Sequence, residues 1–304
     1  MAERVIDPLA VKSQLRRLLR RLQADPDATP WLHAEVARRM AQRLLLIRAR
    51  PRQIVEWWGA LGCSNEVLLK AYPDATRIVV EPDPQWAIET RIRRQLPWWS
   101  ARRWSGGGVL VIDERQPLPA QASQLVWANM VLHGAIDPPQ LLKRWHDALQ
   151  VDGFLMFSCL GPDTLKQIRA LYGSLGWGSM GVDFVDMHDF GDMLLEAGFA
   201  DPVMDQETLT LTWATANDLL AELRGLGGNA APGRHRGLRT PRWRFELQQA
   251  LEQLRGADGR LHLSFEVAYG HAFKVAPRRT SGADTTVSLD EMRQLIREPR
   301  NLIE

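Results

Sequence analysis

Arg52-Gln-Ile-Val-Glu-Trp-Trp-Gly-Ala-Leu-Gly-Cys-Ser-Asn-Glu66 is the stretch on which the fold turns. Ile54 and Val55 make a short apolar strand, Glu56 follows, Gly59 and Gly62 mark a turn, and a helix runs on through Val67–Ala71. Ser64 or Asn65 stands where a helix N-cap belongs. Strand, glycine turn and helix form the first half of a nucleotide-binding βαβ unit. The turn sits at the carboxyl end of its strand, where open α/β sheets bind ligands. Glu81 closes the next strand, Arg77-Ile-Val-Val-Glu81, nineteen positions after Gly62. That is a spacing at which a carboxylate meets ribose hydroxyls. The glycines do not follow G-x-G-x-x-G, which argues against a nicotinamide oxidoreductase.

Outward from this unit, strands and helices alternate. Val109-Leu-Val-Ile-Asp113 is a third strand, Ser123–Asn129 a fourth and Phe154–Ser158 a fifth, and all are nearly continuous in apolar residues. Such strands belong to a parallel sheet covered on both faces. Helices are expected at about 85–95 and 139–149, with Val151-Asp-Gly153 as the stop of the second, and turns at Pro97-Trp-Trp99 and Gly106-Gly-Gly108. Upstream, Leu15, Leu18, Leu19 and Leu22 recur at helical spacing with Arg16, Arg17, Arg20 and Arg21 between them, so residues 9–24 read as an amphipathic helix. Asp25–Pro30 is a turn, and a second helix runs from about Trp31 to Ile47. The last third differs. Helices fall at about 163–172, 189–197, 216–226 and 242–255, a half-exposed strand at 204–213 and a long closing strand at 262–274. Residues 277–304 are polar without apolar periodicity and read as a mostly disordered tail. The division is therefore a helical segment at 1–50 and an α/β domain at 51–276, with lid insertions at about 163–198 and 214–258.

Composition narrows the function classes. The chain has 304 residues, 45% hydrophobic and 24% charged, as in an ordinary globular protein. A net charge of +2 gives no general case for nucleic acid. Cys63 and Cys159 are the only cysteines, too few for a disulfide framework, so a reducing, cytoplasmic setting is expected. No signal-type apolar run and no stretch of membrane-spanning length is present. No His, Cys, Asp or Glu group has metal-ligand spacing, and no serine nucleophile elbow occurs. A monomer is expected.

Several segments beyond the opening unit carry a resemblance. Leu125-Val-Trp-Ala-Asn-Met-Val-Leu-His133, Leu149–Ser158, Leu160-Gly-Pro-Asp-Thr-Leu-Lys-Gln-Ile-Arg169, Phe184-Val-Asp-Met-His-Asp-Phe-Gly-Asp-Met-Leu194 and Glu266-Val-Ala-Tyr-Gly-His-Ala-Phe-Lys274 are together similar to the class I S-adenosylmethionine (SAM) methyltransferases. The chain most resembles the biotin-pathway malonyl-acyl-carrier-protein O-methyltransferases. The resemblance covers about residues 30–276. It implies a Rossmann-like fold with a seven-stranded, mostly parallel sheet in the order 3-2-1-4-5-7-6, helices on both faces and one antiparallel strand. It also implies SAM as cofactor and methylation of the free carboxylate of a malonyl thioester on acyl-carrier protein.

In the family's E/D-x-G-x-G-x-G loop, Glu56 is the acidic residue, and Trp58, Ala60 and Gly62 stand at the glycine positions. Two glycines are thus replaced, and the Trp58 indole is placed to fill the methionine pocket. Asp25–Pro30 also lacks the tyrosine of the family's N-terminal signature. The expected cofactor residues are Glu56, Gly59, Gly62, Glu81, Asp113 and Asn129. His133, after the fourth strand, is the candidate near the methyl-transfer centre. A carboxylate substrate calls for an arginine clamp; Arg234, Arg236 and Arg239 are the first candidates and Arg169 the next. The basic first helix or this arginine loop is expected to dock an acidic carrier by charge. A second reading follows from Trp58 and Ala60: a methyltransferase fold with weakened or lost cofactor binding, working as an assembly or interaction partner.

Overall fold

A computed structural model describes residues 5–25, 30–95, 109–235 and 237–276. The turns read at Pro97–Trp99 and Gly106–Gly108, most of Asp25–Pro30, Arg236 and the tail at 277–304 lie outside the described residues.

Seven strands form one sheet: β1 (Gln53–Trp57), β2 (Thr76–Glu81), β3 (Val109–Asp113), β4 (Ser123–Ala128), β5 (Leu149–Leu160), β6 (Ala200–Trp213) and β7 (Leu261–Phe273). Their order is β3-β2-β1-β4-β5-β7-β6, as the resemblance implied. β1 to β5 pair in parallel, and β7 lies antiparallel between β5 and β6. Strand order reverses between β1 and β4, so the crevice for a ligand lies beyond the ends of these two strands.

The helices are α1 (Pro8–Ala24), α2 (Trp31–Arg43), α3 (Asn65–Ala71), α4 (Pro84–Arg93), α5 (Pro138–Ala148), α6 (Lys166–Ser174), α7 (Met187–Glu196), α8 (Ala216–Gly225) and α9 (Pro241–Glu252). Four of them start the same way. Asp7, Asp83, Asp137 and Thr240 each cap a helix with a side-chain oxygen, and proline follows at the first helical position. The cap satisfies an orphan N–H, and proline has no N–H to leave unsatisfied.

Alternate residues of each strand go to opposite faces. Ile54, Leu125, Trp127, Phe154 and Met156 pack with α2, α3, α6, α8 and α9, while Val55, Trp57, Val126, Leu155 and Phe157 pack with α5 and α7. Trp57, Trp86, Trp127 and Trp145 are among the largest fully buried side chains, so part of the tryptophan excess is core.

Several boundaries depart from the sequence reading, among them the start of β6 at Ala200 and not at about 204, and those of β5 and α2. β5 starts at Leu149 and takes in Val151-Asp-Gly153. The cause is tertiary: Asp152 N–H donates to the Lys274 carbonyl, and Lys274 N–H donates back to Gly153, so the far end of β7 draws this segment into the sheet. Helix α2 stops at Arg43, and a 3-10 turn at Leu44–Leu46 leaves Leu45 and Leu46 exposed. Close packing fixes one glycine in the sheet. A Cβ on Gly270 would lie 2.3 Å from Cε1 of Phe157, its partner across β5.

Candidate active site

The loop after β1 keeps the backbone of a glycine turn while carrying a tryptophan. Trp58 has φ +51°, the left-handed conformation, at the first glycine position of the motif. This costs a non-glycine residue about 1–2 kcal/mol. Its indole Nε1 donates to Glu114 Oε1 at 2.8 Å, and Trp57 Nε1 donates to the same oxygen at 2.8 Å. Glu114 immediately follows β3, and β2 lies between β1 and β3. The Trp58 side chain therefore reaches across the end of β2, not toward β4. Above it, Leu15, Leu18, Leu19 and Leu22 of α1 pack with Trp58, Leu61 and Trp86. The apolar stripe of α1 exists to cover this loop.

The carboxylates at the strand ends are engaged within the chain. Glu56 has no solvent exposure and takes two hydrogen bonds from Arg94, at 2.6 and 2.7 Å, with Arg77 3.9 Å away. Gly59 is held by this pair: a Cβ there would lie 2.8 Å from Glu56 Oε1 and Val79 Cγ1 and 2.9 Å from Arg94. Glu81 is likewise unexposed and accepts from Ala60 N–H at 2.9 Å and Thr90 Oγ1 at 2.8 Å. Its Oε2 is buried without a partner. Burial outweighs these bonds and pushes the Glu81 carboxyl up to about 8, so it carries its proton at neutral pH. Asp113 accepts from Arg115 and Gln116, and the Arg115 contact holds it below the usual carboxylate range. Burial raises Glu114 in spite of its two indole donors.

Beside Trp58 opens a cavity of about 460 Å³. His133, Arg169 and Phe184 form one part of its wall, and α1, α8 and α9 supply apolar residues for the rest. His133 meets Phe184 edge to face at 5.9 Å, and the Arg169 guanidinium lies 5.2 Å from the centre of the same ring. Arg169 donates to the carbonyls of Thr164 and Val182, and Asp183 is 3.4 Å away. Burial depresses Arg169 more than Asp183 raises it. Neither Glu56, Glu81 nor Asp113 lines this cavity.

The most informative comparisons are with curated relatives. A malonyl-[acyl-carrier protein] O-methyltransferase of Gallionella capsiferriformans is 36% identical over 283 residues, 91% of this chain and 94% of the relative. The chain belongs to the malonyl-[acyl-carrier protein] O-methyltransferase family. The same-named protein of Laribacter hongkongensis is 36% identical over 88% of the chain and 91% of its own length. That of Legionella pneumophila is 30% identical over 93% and 99%. No family model matches. Among solved structures, a putative methyltransferase of Bacillus halodurans aligns with a TM-score of 0.53 at 12% identity, covering 78% of this chain and 99% of that one. The YcgJ protein of Bacillus subtilis aligns with 0.52 at 9% identity over 78% and 98%. At these identities they support the class I methyltransferase fold.

In this member of the malonyl-[acyl-carrier protein] O-methyltransferase family, the residues at the strand ends do not fit SAM as they stand. The chemistry of the set is suitable: Glu81 Oε2 has no hydrogen-bond partner, as a ribose-binding group would before its ligand arrives. The space is not. The Trp58 indole covers the end of β2, Ala60 N–H takes one Glu81 oxygen, and Arg94 takes both oxygens of Glu56. The sequence expected the indole in the methionine pocket; hydrogen bonding to Glu114 draws it to the opposite, β3 side.

The other candidates divide similarly. Asn129 is 1% exposed, gives its amide hydrogens to the carbonyls of His33 and Gly62 at 2.8 and 2.7 Å, and accepts from Ser158. It ties α2, the glycine loop and β5 together. Gly62 sits at that tie, and its N–H donates to the Trp58 carbonyl. Arg234 does not stand over the cavity: it pairs with Asp7 at 2.7 Å and anchors the start of α1. Arg239 donates to the Trp177 carbonyl and lies over the Trp243 ring, also off the cavity wall. The structure brings Arg169 to His133 instead. Arg94 and Glu114 were not singled out. For Glu114, adjacency to Asp113 at a strand end was the available signal; for Arg94, nothing in its surroundings marks it.

Proposed function

We propose that the chain catalyses the reaction for which its relatives are named, methylation of a malonyl thioester on acyl-carrier protein, at the free carboxylate. Identity of 36% over 91% of the chain carries this reading, and the cavity supports it. SAM would be the donor of an already activated methyl group, and to hold it the strand-end residues would have to give up their present partners, Ala60 N–H on Glu81 and Arg94 on Glu56. What this chain contributes is binding and exclusion of water. The substrate carboxylate is anionic at neutral pH and needs no base. Arg169, set in a largely apolar wall, offers it a guanidinium whose nearest carboxylate, Asp183, is fully exposed and screened by water. Phe184 lies against that guanidinium and meets His133 edge to face. Apolar residues around them keep the pocket dry, which strengthens the ion pair and orients the acceptor. The exposed arginines of α1 supply a basic face for an acidic carrier.

One observation favours a second reading: the strand-end carboxylates are all satisfied, or nearly so, from within. A chain that no longer binds SAM would keep this fold as an interaction partner. Incubation with labelled SAM and malonyl-acyl-carrier protein separates the two. Methyl transfer that falls at least tenfold in Arg169→Gln supports the first. No transfer, together with no heat of SAM binding, leaves the second.

A further inference from the structure

The groups that close the strand ends are of the kinds a purine nucleoside carries. A ribose brings hydroxyl donors, and an adenine brings a flat bicyclic ring with an amino N–H at its edge. Here Ala60 N–H sits on one oxygen of Glu81 at 2.9 Å, and the bicyclic Trp58 ring places its N–H on Glu114 at 2.8 Å. The two acceptors are neighbours. Glu81 ends β2, Glu114 follows β3, and the Glu114 N–H donates to the Glu81 carbonyl at 2.9 Å. Both stand at carboxyl ends of parallel strands, where open α/β sheets bind ligands.

Trp58 is the one of these groups that is free to leave. Its neighbour Trp57 donates to the same Glu114 oxygen but is 1% exposed, lies edge to face on Trp145 at 6.0 Å and carries the Arg144 guanidinium at 5.0 Å. Arg144 also donates to the Glu114 carbonyl. Glu114 is thus oriented whether or not Trp58 is on it. Trp58 is half-buried, and it lines the 460 Å³ cavity, which gives the ring room to turn. Once it turns, Glu114 has an aimed acceptor site open beside Glu81 Oε2, which has no partner. Asp113 offers no such site, because Arg115 and Gln116 hold its two oxygens.

We infer that Trp58 is a tethered stand-in for a purine base, latched on Glu114, and that a nucleoside binds at Glu81 by displacing it. Glu114 is then the residue that selects the base. The closed loop is a state that a ligand opens, which differs from a site that has lost its ligand. The inference concerns binding alone and stands apart from either reading of the reaction.

Calorimetry on the full chain tests it with adenosine and with inosine, which has a carbonyl in place of the amino group. Removing the tethered competitor restores the equivalent of one or two hydrogen bonds. Adenosine is therefore expected to bind about fivefold more tightly to Trp58→Phe, which keeps a ring without the N–H, and up to about thirtyfold more tightly to Trp58→Gly. In both variants inosine, which sets a carbonyl against the Glu114 carboxylate, is expected to be roughly a hundredfold weaker than adenosine. Glu114→Gln has an amide that donates to that carbonyl, and narrows the gap. Circular dichroism checks folding, and Trp58→Phe carries the test if Trp58→Gly does not fold. The indole N–H resonances of the wild type, labelled with nitrogen-15, report displacement directly: saturating adenosine moves the Trp58 signal, assigned by its loss in Trp58→Phe, and leaves that of Trp57. Adenosine binding unchanged or weaker in both Trp58 variants, equal binding of the two nucleosides, or an unmoved Trp58 signal at saturation overturns the inference. Methyl transfer to malonyl-acyl-carrier protein is measured separately. Transfer with an unmoved Trp58 signal sinks the latch alone, and displacement without transfer sinks the enzymatic reading alone.

Discussion

Replacing either partner of the Glu56–Arg94 pair tests whether Glu56 serves the fold or the cofactor. Glu56 is fully buried and Arg94 nearly so, with side-chain exposures of 0% and 8%, and two charge-assisted hydrogen bonds join them. Removing one partner of such a pair leaves a buried charge uncompensated, at a cost of about 3–5 kcal/mol. Arg77, 3.9 Å from Glu56, softens the loss for Arg94→Met but not for Glu56→Gln, which leaves the buried Arg94 guanidinium without the carboxylate it bonds, while Arg77 keeps its hydrogen bonds to Asn65. The order expected is therefore Glu56→Gln worse than Arg94→Met. The double variant loses less than the sum of the two, because neither charge is then left alone, and the coupling is about 2–3 kcal/mol. At roughly 2 °C per kcal/mol for a chain of this size, the single variants melt about 6–10 °C lower. Urea unfolding gives the free energies and calorimetry with SAM gives the ligand side. If Glu56 held the amino group of SAM, Glu56→Gln would cost affinity and little stability. Single variants losing under about 1 kcal/mol, with additive effects, would refute the structural assignment.

Trp58→Gly removes the indole and relieves the positive φ. SAM binding is expected to tighten about five- to thirtyfold, the equivalent of one or two hydrogen bonds that the ligand no longer displaces at about 1 kcal/mol each; equal or weaker binding in calorimetry would place the indole away from the cofactor. Glu81 gives a pH test. Its folded pKa, about 8, lies above the ordinary 4.5, so its stabilising share is full below pH 4.5 and is lost as pH rises through 8. By linkage the whole interval is worth up to roughly 5 kcal/mol, and urea titrations from about pH 5 to 9 should show a decline that Glu81→Gln flattens; parallel curves would mean the carboxyl is ionised in the fold. Gly270→Ala drives a methyl into the Phe157 ring and should cost about 1–3 kcal/mol in chemical unfolding, whereas a neutral result would require β5 and β7 to shift apart freely.

What the residues determined alone is the alternation of elements. Apolar runs of strand length separated by amphipathic helices specify a covered parallel sheet, because each run can be buried only between two layers. The strand–turn–helix around Glu56 and the ends at Glu81 and Asp113 were legible for the same reason: a strand, its final carboxylate and the following cap are local patterns. Family segments such as Leu160–Arg169 carried the likeness that the relatives bear out.

Which side chain meets which was settled only by the packed chain. Glu56 and Arg94 are 38 positions apart, and Trp58 and Glu114 are 56 apart. Neither pairing leaves a trace in local periodicity. The loop Trp58–Ala60 looked like a degraded ligand cradle, yet its amide and indole groups are turned onto Glu81 and Glu114. As sequence, Arg234 was the first candidate clamp and Arg169 the next. The fold hands Arg234 to Asp7 at the start of α1 and leaves Arg169 beside His133, because α6 follows the carboxyl end of β5 and so returns to the rim of the crevice. Charge and residue type name the candidates for a site; the topology that carries a strand end to the crevice decides which of them arrives there.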